Sequence, residues 1–129
     1  MLLQFLSLLI SDPIAAIVQI LVLLAAIIAA VTIHEFSHAL ISHSLGDLTA
    51  RRLGRLTLNP LAHLDPMGSV LFLIAGFGWG KPVPVNPYFF RRTEPRLGMS
   101  LVSLAGPISN IMTAFVAALM VKVLINQID

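Results

Sequence analysis

The feature that most constrains this chain is the stretch 14–33, in which every residue is apolar except Gln19 and Thr32. A helix needs about 20 such residues to cross the hydrocarbon core of a bilayer, and the run has that length. Ser11 and Asp12 ahead of Pro13 form a start signal, a capping side chain followed by proline at the first helical position. The helical pattern then continues through His34-Glu35-Phe36-Ser37-His38-Ala39-Leu40-Ile41 until Gly46-Asp47 supplies a stop. The sequence therefore predicts a polar cluster in the last part of a membrane helix. Ionisable groups in a spanning segment are costly enough to mark function by default.

Composition closes off the other classes. Hydrophobic residues make up 57% and charged residues 11%, against roughly 25% charged in a soluble domain, and the mean hydropathy is +0.93. So few charges cannot cover the surface of a small soluble globule, and so much apolar surface excludes disorder. With no cysteine there is no disulfide framework, thiolate metal site or cysteine nucleophile. Any metal must be held by His, Asp or Glu. The 129 residues allow one domain, read as a single membrane-embedded unit over 1–129, the N-terminal part of a longer domain.

Charge placement gives the topology. Seven of the eight basic residues (Arg51, Arg52, Arg55, Lys81, Arg91, Arg92 and Arg96) lie between the first apolar helix and most of a second, 97–125. Under the positive-inside rule that block is cytoplasmic. Nucleic-acid binding is set aside, because it would need a soluble scaffold with solvent-facing aromatics among the charges. Residues 1–10 are apolar but too short to span and lack a secretory cleavage signal, which makes them an interfacial segment or the start of the first helix. Residues 53–58 alternate like a short strand, ended by Asn59-Pro60. Residues 70–77 are apolar but closely bounded by glycines, which predicts an element that is re-entrant or packed between helices. Residues 81–87 contain three prolines and must be extended. The expected fold class is an all-α membrane protein with two spanning helices and a re-entrant or short extended/β element between them. Both basic loops then share one membrane face, and residues before 13 and after 125 lie on the other.

The polar cluster carries the chemistry. His34 and His38 are four apart, one turn above another on one helix face, so both imidazoles can reach a single cation. Zinc suits that donor set and keeps an open position for water when it is catalytic. Glu35, beside the first histidine but off its stripe, is placed to take a proton from water and pass it to a leaving amine. Given the chain's histidine and glutamate content, the pattern would arise by chance in only about 0.002 of such sequences.

Four segments in order carry a family resemblance: HEFSHAL at 34–40, GDLTARRLGRLTLNPLAHLDPMGS at 46–69, GWGKPVPVNP at 78–87 and AGPISN at 105–110. Together they resemble the site-2 protease family of intramembrane zinc metalloproteases, in its short bacterial and archaeal branch. The resemblance implies His34 and His38 as zinc ligands and Glu35 as general base. It also implies a membrane-protein substrate cut in or near its transmembrane segment, and residence in a prokaryotic plasma membrane with the site near the cytoplasmic face. Members of this family carry a third ligand, an Asp, in a later Asn-x-x-Pro-x-x-Pro-x-Asp-Gly motif that does not occur after Asn110, so the chain reads as truncated before it.

Three features stay open between two readings. Asp65 is the candidate substitute third ligand, or it shapes a turn ahead of Pro66. Residues 81–87, with Val83 and Val85, offer a strand edge to substrate, or form a rigid connector. Asn110, placed near the site by resemblance, holds substrate or an oxyanion, or joins two helices by a hydrogen bond. His43 lies off the ligand face and reads as interfacial. Two further functions compete with proteolysis: a catalytically incomplete membrane binding protein derived from the family, and metal transport, which would not need a glutamate placed as a base.

Overall fold

The computed structural model describes residues 2–127; Asp129, which the topology argument sets across the membrane, lies outside them. Helix α1 (Leu2–Ser11) is separated from α2 (Pro13–Leu45) by Asp12 alone. The break has a local cause. Asp12 leaves helical geometry at φ −146°, its carboxylate accepts the Ala15 N–H at 3.0 Å, and Pro13 opens the new helix without an N–H to satisfy. Helix α2 runs 33 residues, about 50 Å at 1.5 Å per residue, well beyond the thickness of a hydrocarbon core. It ends where Gly46 turns left-handed at φ +111°, its N–H returning to the His43 carbonyl at 3.0 Å while the Asp47 N–H bonds Ser42 O at 3.1 Å.

Helix α5 (Pro95–Ile125) is the second long apolar helix, and Pro107 lies inside it. It packs against α2 in the opposite direction, since His34 meets Asn110 while His38 meets Val102. Residues 46–94 therefore gather at one end of the helix pair, carrying six of the seven clustered basic residues, with Arg96 in the first turn of α5. That agrees with the two-span expectation.

The connection holds α3 (Thr49–Arg52), a 3₁₀ turn at Pro60–Ala62, α4 (Pro66–Ala75) and a 3₁₀ turn at Pro87–Phe89. At ten residues α4 is about 15 Å long, half of what a crossing needs, as expected for the glycine-bounded segment. The strand expected over 53–58 does not form. Gly54 turns left-handed at φ +69° and the Arg55 N–H reaches back to Ala50 O at 2.8 Å, so the chain folds on itself instead of extending. Alternation makes a strand only beside a partner edge. Among the described residues the lone bridge joins Leu64 to Gly80.

One buried carboxylate ties the connection to the helix end. Asp47 is fully buried. It accepts from the Ser42 hydroxyl at 3.1 Å, from the Thr49 N–H at 2.9 Å and hydroxyl, and from the Asn86 N–H at 2.7 Å. Burial alone would raise its pKa, but the bonds from Thr49, Asn86 and Ser42 outweigh that and hold it below the ordinary value of 3.8. Apolar side chains meanwhile face outward, with Ile14, Val18 and Leu21 of α2 and Ile111, Phe115 and Met120 of α5 all exposed. Water would penalise such a surface, whereas lipid matches it.

Candidate metal centre

The site is built where α5 crosses the last part of α2. Every fourth residue of α5 (Gly98, Val102, Gly106 and Asn110) lies on one stripe, and the last three meet the two histidines. His38 Nδ1 lies 2.6 Å from the Val102 carbonyl. That oxygen can only accept, so Nδ1 carries the proton and Nε2 presents a lone pair. His34 Nδ1 lies 3.2 Å from the Asn110 side-chain amide. The two rings stand edge to face with centroids 4.6 Å apart and planes at 85°. Their Nε2 atoms converge on Gly106, where an added Cβ would lie 2.5 Å from His34 Nε2 and 2.6 Å from His38 Nε2.

That convergence is the test of whether a cation fits. Glycine lets both imidazoles come up against the α5 backbone, where a Cβ would collide with them, and Glu35 completes a group whose donor atoms lie within 4.8 Å of one another. Zinc binds imidazole nitrogen at about 2.0–2.1 Å, so a single ion beside the two rings would draw on both nitrogens. All three residues are partly buried, so the site is neither sealed from water nor open on the surface.

Glu35 has a fixed orientation. Its Oε2 accepts the Val83 N–H at 3.1 Å, which brings the extended segment 81–86 across the site. The segment is pinned at further points: Lys81 N–H to His63 O at 2.7 Å, Pro82 O to Arg55 Nη2 at 3.5 Å, and Asn86 N–H to Asp47. Prolines 82, 84 and 87 have no N–H. Val85 thus holds the one amide of 81–87 outside the 3₁₀ turn that no described residue engages. As the prolines require, 81–86 forms neither helix nor strand and Asn86 is extended, while the Val83 N–H turns to Glu35.

Asp65 lies elsewhere. Its Oδ1 caps α4 through the Gly68 N–H at 2.8 Å, and it does not join the His34, Glu35 and His38 group. His63, two residues earlier, is fully buried with Nε2 on Thr57 O at 2.7 Å. His43 also stands apart from the cluster. Sequence reasoning placed Asn110 near the histidines but gave no part to Val102 and Gly106. The four-residue spacing from Gly98 to Asn110 was the available signal, a stripe of small residues ending in an amide.

Two imidazoles and a carboxylate converging on apolar, antiparallel helices match the donor set that a zinc metalloprotease set in a membrane would need. Comparison with known proteins agrees. The chain is 52% identical over 94 residues to the "Putative zinc metalloprotease YwhC" of Bacillus subtilis, an alignment covering 73% of this chain and 42% of that protein. It is 30% identical over 108 residues to the "Putative zinc metalloprotease Rip2" of Mycolicibacterium smegmatis, covering 79% and 40%. With the Rip2 of Mycobacterium tuberculosis it shares 32% over 123 residues, covering 91% and 46%. No family model matches the chain, and no solved structure matches it. These similarities support the resemblance to the site-2 protease family, and zinc is the metal that the relatives' names carry. It spans less than half the length of the curated relatives it matches.

Proposed function

We propose that this chain carries the zinc-binding and proton-transfer half of an intramembrane protease that hydrolyses peptide bonds in or near transmembrane segments of membrane proteins. The observation supporting this is the approach of His34 Nε2 and His38 Nε2 over Gly106 with Glu35 beside them, at the end of an apolar helix. When bound, zinc supplies Lewis acidity toward water and the scissile carbonyl. His34 and His38 hold it, and Glu35 takes the proton of the attacking water and passes it to the departing amine nitrogen as the C–N bond breaks. Val83 keeps one carboxylate oxygen of Glu35 engaged, which leaves the other free to receive that proton.

Substrate is proposed to unwind alongside 81–86, lined by Val83 and Val85, with the free Val85 amide donating to it. Asn110, at the same crossing, is the candidate polar group for its carbonyl. The basic end of the helix pair is proposed to face the cytoplasm of a prokaryotic cell, with the protein in the plasma membrane. A catalytic zinc takes three protein ligands. With Asp65 held in a cap, the third is proposed to come from sequence outside these 129 residues. The same observation favours the second reading, a noncatalytic membrane binding protein that holds clients.

Glu35→Gln decides between them. The protease reading expects cleavage of a membrane-embedded substrate by the complete protein to be lost while zinc content stays near wild type, because the base is not a ligand. His34→Ala and His38→Ala should lose zinc and cleavage together. Undiminished cleavage by Glu35→Gln would overturn the assignment, and zinc retention with no cleavage even by the wild type would favour the binding protein.

A further inference from the structure

Of the seven clustered basic residues six are exposed, whereas Arg55 is buried, at 7% exposure. Gly54 turns left-handed and the Arg55 N–H returns to Ala50 O at 2.8 Å, so the fold-back that replaces the expected strand is what places it. A buried guanidinium is costly unless something offsets its charge. Among the described residues no carboxylate pairs with it: Nη1 is buried without a hydrogen bond, and Nη2 meets the Pro82 carbonyl at 3.5 Å. That contact is long for a hydrogen bond, yet a full charge away from water still acts on a carbonyl over such a distance. The carbonyl matters because of what lies on its other side. Pro82 C=O and Val83 N–H belong to one peptide group, and the Val83 N–H donates to Glu35 Oε2 at 3.1 Å. That peptide is trans, so its oxygen and amide hydrogen point in opposite directions. Arg55 and Glu35 therefore clamp one peptide from both ends, the cation at the negative end of its dipole and the carboxylate at the positive end.

From this we infer that Arg55 is a positioning residue for Glu35: it holds the Pro82–Val83 peptide by its oxygen, so that the amide on the opposite side stays aimed at the carboxylate. The inference rests on the reading of Glu35 as the general base. Pro82 has a fixed φ, and Val83, ahead of Pro84, is confined to extended geometry. The peptide between them can still swing about Pro82 ψ, which would turn the N–H away from Glu35. A cation on the oxygen opposes that swing and, by polarising the peptide, makes the N–H a stronger donor. Glu35 Oε2 then stays engaged while the other oxygen is left for the proton of water. A role confined to filling space would be met by an apolar side chain, without the cost of burying a charge.

The test uses the complete protein in detergent micelles and two neutral variants, Arg55→Met and Arg55→Gln, which keep much of the side chain's length. With 15N-labelled valine, the Val83 amide is assigned by its absence from a Val83→Ile protein. Its proton shift reports the bond to Glu35, and Glu35→Ala supplies the unbonded reference. Zinc content, and kcat and KM for a membrane-embedded substrate, are measured on the same preparations. Both Arg55 variants should move the Val83 amide proton upfield, toward its position in Glu35→Ala. Zinc content should stay near wild type and KM within about twofold, while kcat falls about 10-fold or more, part of the roughly 10²–10⁴-fold that a proton-transferring group supplies.

A Val83 amide that keeps its wild-type shift in a folded variant would overturn the inference, as would a kcat within about twofold of wild type. So would a raised KM at unchanged kcat, which would make Arg55 a substrate contact, or joint loss of zinc and cleavage, which would make it a scaffold residue. If Arg55→Met does not fold, Arg55→Gln, which retains a polar head, decides by the same readouts. If Glu35→Gln cleaves undiminished, the reading of Glu35 as base fails, while the Val83 shift still decides whether Arg55 holds the peptide.

Discussion

Gly106 shows how much one residue decides at this site. Its missing side chain is what lets His34 Nε2 and His38 Nε2 come together against the α5 backbone. Gly106→Ala puts a methyl 2.5 Å from one nitrogen and 2.6 Å from the other, which forces apart the two rings that would hold a cation. Alanine is the better helix former by about 1 kcal/mol, so α5 should keep or gain helicity while the metal is lost. Circular dichroism and zinc content of the same preparation check this, and the opposed signs separate a blocked site from an unfolded helix. A variant with normal zinc content would show that the rings move aside. The sequence displayed the histidine pair openly because a spacing of four is a property of one helix. It was silent on Gly106, because glycine's role here depends on which residue of a different helix it faces.

At the scale of the element, Asp65 separates capping from ligation. Its carboxylate accepts the Gly68 N–H at 2.8 Å, Pro66 follows at the first helical position, and Ser69 adds a bond to the Asp65 carbonyl at 2.7 Å. A side chain so engaged at a helix start typically contributes about 1 kcal/mol. Asp65→Ala should therefore lower thermal stability modestly while zinc affinity stays nearly unchanged, measured on one sample by unfolding and by metal titration. A drop in affinity of about 10-fold or more would instead place Asp65 at the metal. The signals for α4 were present in the sequence, an Asp before Pro and an apolar run bounded by glycine. The strand expected at 53–58 had only its own alternation to support it, and strands depend on neighbours that a local pattern does not reveal. Gly54 and the Arg55 to Ala50 bond turned that segment back instead.

Across the whole molecule, two antiparallel apolar helices with their basic connection at one end make the proposed orientation directly testable. The chain has no cysteine, so single substitutions give clean accessibility probes. Tyr88→Cys, at a position 85% exposed in the connection, should be labelled by a membrane-impermeant thiol reagent only after cells are opened. Gln127→Cys, past the far end of α5, should be labelled in intact cells. Labelling of Tyr88→Cys from outside would reverse the orientation.

What the sequence determined by itself are the properties carried by short stretches of chain: two helices long and apolar enough to cross a bilayer, the caps at Asp12 and Gly46, an extended proline segment, and the His34, Glu35 and His38 cluster. Each follows from hydrophobic run length, proline and glycine backbone preferences, or the four-residue repeat of a helix. Only the tertiary structure decided that Val102 O holds His38, that Gly106 admits both rings against its backbone, that Val83 steadies Glu35, and that Asp47 fastens the segment at Asn86 to the end of α2. These pairs lie 39 to 72 residues apart in the chain, as the 39 between Asp47 and Asn86 and the 64 between His38 and Val102 show. Each joins a side chain to a backbone group or to a missing Cβ. Backbone groups are the same at every residue, so a sequence does not mark which of them will be met; packing α5 against α2 makes that choice.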